Sequence, residues 1–490
     1  MSDRTVCTEA GTTYKVRPDK RKRASGALSG VFWRTMEGNR TFTEGKIFAP
    51  LVRFMLPVLL ALFLQTLYGA VDLWVVGKFA ESFDVSAVST GSQLMMTITL
   101  AVTSLAMGMT VLVGRKLGAG KPEEAGKVIA SGIWLFGAVG VLLSLLIMPL
   151  SGDAAGLMQA PEEAFDATRD YLFICGAGTV FIVAYNLIGS IFRGIGDSQM
   201  PLYSVLIACA LNIVGDLLLV AVCGLGTRGA AYATVFAQAV SVLLSLLIIR
   251  RRRLPFHLTK SDVLRPQLRL IGEILKLGIP IALQDILVSL SFLIILAIVN
   301  SLGVTASAGV GVAEKLCGFV MLVPSAFMQS MSAFVAQNIG AEKPDRARKA
   351  LLYGIAASLA IGVIMAYLNF FHGDWMAWLF VKDPDVIAAA AEYLKAYAID
   401  CLLTSFLFCF IGYFNGVGST VFVMLQGIIG AFCVRVPISW AMSLQSPVSL
   451  FHIGLATPAS SFVQIVLCGV WFAVLLRRER KTERNTVPLA

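Results

Sequence analysis

The chain is 490 residues long, 57% hydrophobic and only 14% charged, with a net charge of +10, and its mean hydropathy is +0.78. A soluble chain has too little interior to hide that much apolar surface, since charged residues usually make up about a quarter of a globular domain. The balance excludes a secreted globular protein, a disordered chain and a coiled coil, and leaves a polytopic helical membrane protein. The surplus Lys and Arg sit in end segments and short loops, with no basic stripe interleaved with aromatics, so no nucleic acid partner is expected.

Crossing about 30 Å of hydrocarbon at about 1.5 Å per residue takes about 20 apolar residues. That ruler predicts twelve spans, at 50–77, 86–113, 129–150, 170–192, 201–223, 229–249, 277–301, 306–335, 350–371, 391–413, 420–443 and 453–476. Residues 1–45, with Lys20-Arg21-Lys22-Arg23, read as a cytoplasmic polar tail, and so long a lead argues against span one being a cleaved signal. Basic residues follow spans two, four, six, eight and twelve: Arg115, Lys116, Arg193, Arg250 to Arg253, Lys343, Arg346, Arg477 and Arg478. The alternate loops carry Glu81, Asp84, Asp153 and Asp374 instead. The positive-inside rule then predicts that both ends are cytoplasmic.

The second half of the chain matches the first at an offset close to 222 residues. Gly118 pairs with Gly340, Lys121-Pro122 with Lys343-Pro344, Tyr171-Leu172 with Tyr393-Leu394, and Phe192, Gly194 and Gly196 with Phe414, Gly416 and Gly418. A six-span unit is written twice, and six being even, both copies insert with the same orientation about an axis along the membrane normal. The expected fold is all-α and integral to the membrane, with twelve transmembrane helices in two pseudo-symmetric six-helix bundles around a central cleft. The expected parts are an N-terminal lobe at 46–249, a basic cytoplasmic linker at 250–276 acting as a hinge, a C-terminal lobe at 277–476 and a tail at 477–490.

Charge inside hydrocarbon costs several kcal/mol, which makes each intramembrane ionisable residue a functional candidate. They are Asp72, Asp216, Asp285, Glu314, Lys315, Asp400 and Arg435. Asn212 precedes Asp216 by one helical turn on the same face. With Asp72 and the Thr234 hydroxyl, this pair makes an all-oxygen set suited to a proton or to a hard cation such as Na⁺. The competing reading is that these polar groups only hold helices together. Gln65, Tyr68 and Asp285 are candidates for the substrate cleft, and Asp400 and Arg435 are candidates for an ion pair between spans ten and eleven. Pro57, Gly69 and Gly77 could bend span one. The nine cysteines show no metal spacing, and His257, His372 and His452 lie far apart, so no metal is expected beyond Na⁺ at the same set. The segments GIGDSQMP and GAGKPEE lack the Gly-Lys-Ser/Thr ending and the preceding strand of a phosphate loop, and read as tight turns.

These residues and motifs together make the chain resemble the multidrug and toxic compound extrusion (MATE) family over roughly residues 45–476. The carriers are LPVLLALFLQTLYGAVDLWVVGKFA, the repeated Lys-Pro loops, FRGIGDSQMP, LNIVGDLLL and GAAYAT. The resemblance is closer to the DinF-like bacterial branch. It implies a cation site in the N-terminal lobe at Asp72, Asn212, Asp216 and Thr234. The other branch places acids in helices seven and ten, and the stretch FLFCFIGYFNG has none.

The expected function is secondary antiport, exporting amphipathic, cationic drugs or toxic compounds in exchange for H⁺ or Na⁺. The protein is expected to be a monomer in a bacterial cytoplasmic membrane, with no cofactor and no enzymatic activity. A lipid-linked sugar flippase of the same superfamily is the alternative, although such proteins often carry extra helices and a more cationic cleft. A membrane-embedded enzyme would need a nucleophile–base pair or metal cluster that the sequence does not display.

Overall fold

The computed structural model describes residues 42–251, 254–256 and 259–486, and among them twelve helices are long and apolar enough to cross a membrane. Spans one to six run Phe48–Phe79, Ser82–Gly118, Pro122–Ile147, Glu162–Ile195, Gln199–Val222 and Gly226–Arg251. Spans seven to twelve run Leu268–Asn300, Val304–Gly340, Pro344–Phe371, Pro384–Val417, Thr420–Ser443 and Leu450–Glu479. Most of the expected tail, with Lys20 to Arg23, and Arg252, Arg253 and His257 lie outside the described residues.

The differences from the sequence reading have local causes. Span seven starts at Leu268, so the last third of the expected linker is already helix. The stretch just before it is tied to span three: the Trp134 indole N–H donates to the Val263 carbonyl at 2.6 Å, and the Gln267 N–H to Ser131 Oγ at 3.1 Å. Span eight is two helices, Val304–Val320 and Leu322–Gly340, divided at Met321 just ahead of Pro324, whose ring nitrogen has no proton to donate to the preceding turn. Span one, by contrast, is a single helix that carries Pro57 without a break.

The duplication is visible in small construction details. Both Lys-Pro loops start the next helix with proline in the first turn, where a missing N–H costs nothing. The turn before each needs a left-handed residue: Gly120 at φ +69° in the first copy, and Glu342 at φ +57° in the second. At the opposite end, Asp170 accepts from Arg228 at 2.5 Å, tying span four to span six. Its counterpart Glu392 accepts from Ser449 Oγ at 2.6 Å and the Phe451 N–H at 3.2 Å, tying span ten to span twelve.

Spans one and seven each cross from one bundle to the other. At the Lys/Arg-rich end, Leu51, Phe54, Met55 and Val58 of span one pack with Phe327, Phe334, Leu351 and Phe414 of the second bundle. Further along, Val75 and Val76 pack with Val88, Leu172 and Ala231 of the first. Span seven does the reverse, with Leu270 and Ile274 among residues of spans two to four and Ile295 and Val299 among the second bundle. Residues such as Leu142 and Leu145 stay about two-thirds exposed, as a lipid-facing surface requires.

Arg346 anchors the entry to span one. Its guanidinium donates to the carbonyls of Phe42, Glu44, Gly45 and Lys46 at 2.6 to 3.2 Å, and Lys343 Nζ reaches the Thr43 carbonyl at 3.0 Å. We expect Arg346→Ala to raise amide exchange of residues 42–50 by about tenfold while sparing spans three and four, as measured by mass spectrometry. The scale follows from hydrogen bonds to a charged donor being worth about 1.5–3 kcal/mol.

Candidate functional site

Three elements bring Asp72, Asn212, Asp216 and Thr234 together. Asp72 lies about three-quarters along span one and is 6% exposed. Asn212 and Asp216 lie one turn apart on span five, at 2% and 0% exposure. Directly after Asp216 the helix widens into a π-helical stretch, Leu217–Val222, a distortion that recurs at functional sites. Span six presses close here, since a Cβ on Gly215 would stand 2.9 Å from that of Ala233. This seats Thr234 between the other two spans.

Asn212 Nδ2 donates to Thr234 Oγ1 at 3.3 Å, and Thr234 Oγ1 donates to Asp72 Oδ2 at 3.5 Å. The Asp72 carboxyl also neighbours Asp216 and Asn212. What the pocket lacks is donors. Asp72 Oδ1, both Asp216 oxygens and Asn212 Oδ1 are buried with no hydrogen-bond partner. Buried acceptors of this kind are rare because each forfeits its hydration without replacement. Two facing carboxylates cannot both remain bare anions in such a place, and a shared proton or a small cation between them removes the conflict. An oxygen-only ligand set fits a hard cation.

The cleft candidates are placed differently. Gln65 Nε2 donates to the Tyr185 hydroxyl at 3.5 Å, and Tyr68 neighbours Gln238. Asp285 is apart from the four-residue set: Ser104 Oγ of span two donates to Asp285 Oδ2 at 2.5 Å, joining the two bundles. Tyr185, Gln238 and the Thr103–Asn186 pair (Thr103 Oγ1 to Asn186 Oδ1, 2.8 Å) were not singled out from the sequence. The amide within the apolar run VFIVAYNLIG was the available signal.

Asp400 and Arg435 do not form the ion pair considered for them: no salt bridge within 4.0 Å joins them. Arg435 Nη1 donates instead to Ser291 Oγ of span seven at 3.1 Å, and the guanidinium lies 4.2 Å from the centre of the Phe292 ring. Span ten, Pro384–Val417, contains three acids: Asp385 in its first turn, Glu392, and the 1% exposed Asp400.

A family model described as MatE matches residues 57–218 and again residues 280–441. The chain belongs to the MatE family. The double match restates the duplication and sets the two copies 223 residues apart in this region. On that displacement Arg435 stands where the first copy has Asn212, and Ser439 where it has Asp216. The MatE repeat is thus kept in backbone, while the acidic pocket belongs to one copy.

Among relatives, the chain is 25% identical over 437 residues to the probable multidrug resistance protein YoeA of Bacillus subtilis, covering 88% of this chain and 94% of that one. It is 28% identical over 413 residues to the probable multidrug resistance protein YpnP of the same organism, with 81% and 88% covered. The multidrug export protein MepA of Staphylococcus aureus is 26% identical over 407 residues, with 79% and 86% covered. The fold is shared with a MOP superfamily transporter from Pyrococcus furiosus (TM-score 0.84, 21% identity, 90% and 98% covered). A MATE in the bent conformation superposes with a TM-score of 0.85 at 21% identity, over 91% and 99% of the two chains.

Proposed function

We propose that this MatE protein is a secondary antiporter that exports amphipathic, cationic small molecules from the cytoplasm in exchange for H⁺ or Na⁺ by alternating access. The observation that carries the proposal is the donor-poor pocket of Asp72, Asn212, Asp216 and Thr234. Its buried acceptor oxygens need a cation or proton that can come and go, which is what a coupling ion does. The names of the relatives, multidrug resistance and export proteins, support small-molecule export over lipid-linked sugar transfer. In this reading the Lys/Arg-rich end faces the cytoplasm of a bacterium. The residues Gln65, Tyr68 and Asp285 line the path of the substrate, with Asp285 as its counter-charge.

The mechanism follows from the charge balance. With the pocket occupied, the repulsion between the two carboxylates is relieved and spans one, five and six can close upon it. Release of the ion toward the cytoplasm restores the repulsion and favours the rearrangement that takes up substrate. The test is efflux of a cationic dye from proteoliposomes under an imposed H⁺ gradient alone and an imposed Na⁺ gradient alone. We expect one of the two to drive uphill dye movement. Dye movement that follows only its own gradient under both conditions would remove the antiport reading.

A further inference from the structure

The glycines that pair 222 residues apart do more than turn the chain. At the Lys/Arg-rich end, spans two and eight touch backbone to backbone: a Cβ on Gly118 would collide with the Gln337 carbonyl, and one on Gly340 with the Arg115 carbonyl. The side chains of those same two residues reach across to the other bundle. Arg115 Nε and Nη2, from span two, donate to the Gly416 carbonyl at the end of span ten, at 3.3 and 3.1 Å. Gln337 Nε2, from span eight, donates to the Gly194 carbonyl at the end of span four, at 2.9 Å. Arg115 and Gln337 are 222 residues apart, as are Gly194 and Gly416, so each contact is the image of the other under the internal repeat.

The acceptors are suited to this. Spans four and ten both end in left-handed glycines, Gly196 at φ +93° and Gly418 at φ +76°. The closing hydrogen bonds run from Gly196 and Asp197 back to Phe192 and Arg193, and from Gly418 and Ser419 back to Phe414 and Asn415. Gly194 and Gly416 are left with carbonyls that no intrahelical donor reaches, at the negative end of the helix dipole. Gly196 and Gly418 also leave room for the arriving side chains. A Cβ on Gly196 would stand 3.2 Å from Gln337 Nε2, and one on Gly418 would collide with Arg115 Nη2.

We propose that Arg115 and Gln337 are the paired latches of the cytoplasmic gate. They hold the two bundles together at that end, and both must release before the cleft opens to the cytoplasm. The latches are unequal, because a guanidinium facing a helix C-terminus makes a charge-assisted bond and an amide makes a neutral one. Arg115 therefore sets most of the balance between open and closed forms. The inference rests on the alternating-access reading above but is tested without any ion gradient.

The experiment is hydrogen–deuterium exchange of the full chain in lipid nanodiscs, comparing the parent with Arg115→Ala, Arg115→Lys and Gln337→Met. We expect Arg115→Ala to speed exchange about tenfold to a hundredfold at the basic ends of spans two, four, eight and ten, the scale of a bond to a charged donor. Exchange at the opposite ends of the same spans should slow, because opening one side closes the other. Gln337→Met, which keeps the volume and loses the donor, should give a change of roughly threefold to tenfold in the same directions. Arg115→Lys should restore part of the protection, since the cation remains at the helix terminus. Unchanged exchange in both Arg115→Ala and Gln337→Met overturns the proposal. So does faster exchange at the basic end with no slowing at the other, which would mark the contacts as packing only. Loss of gradient-driven dye transport with the gate response intact would count against the antiport reading alone.

Discussion

Asp216→Asn in proteoliposomes is expected to lower gradient-driven efflux on the order of a hundredfold or more, while dye-for-dye exchange, which needs no ion, should continue. The carboxyl is wholly buried and neither oxygen has a donor, so its only available partners are the neighbouring acceptors and a mobile cation. An amide of the same shape supplies its own donors to Asp72 and stays neutral whatever the gradient. The pocket is then held permanently in the state that ion occupancy would otherwise create. Asp72→Asn should behave alike, and the double substitution should cost little beyond either single one, because groups that act as one unit are not additive. Efflux that survives both single substitutions undiminished would mean that these acids only hold helices together.

Gly118→Val is expected to leave the protein folded in the membrane but to cut transport by more than about tenfold. The added carbons meet the Gln337 carbonyl, which is backbone and cannot swing aside. Spans two and eight must separate, which costs about 1–3 kcal/mol as overpacking does elsewhere. The same separation draws Arg115 and Gln337 away from their acceptors. Gly340→Val should match it by the internal symmetry. Gly137→Ala, on an open face of span three with nothing within 4 Å, should be silent or slightly stabilising. Normal transport by both valine variants would show that close contact at this end is dispensable. Small residues are common where membrane helices meet, and here, as at Gly108 and Gly278, a backbone carbonyl from the opposite bundle fills the space.

The number of spans, their approximate places and the duplication were legible in the sequence because hydrocarbon imposes a length on every crossing and a penalty on every charge. Both constraints act on each segment separately, so they need no knowledge of neighbours. The same penalty singled out Asp72, Asp216, Asp285, Asp400 and Arg435 from an otherwise apolar background. The spacing of Asn212 and Asp216 placed both on one face of their helix. Only the tertiary structure decided what each face meets. It put Thr234 against Asp72 across 162 residues, joined Asp285 to Ser104 of the other bundle, and gave Arg435 a serine and an aromatic ring in place of Asp400. It also sent the first turns of spans one and seven into the opposite bundle, and turned paired glycines into the seam where the bundles close. Helical periodicity gives the direction of a side chain about its own axis, but in lipid no hydrophobic gradient draws one helix to another. Partner choice therefore falls to close packing and hydrogen bonds between residues remote in the chain, and those exist only once the helices have met.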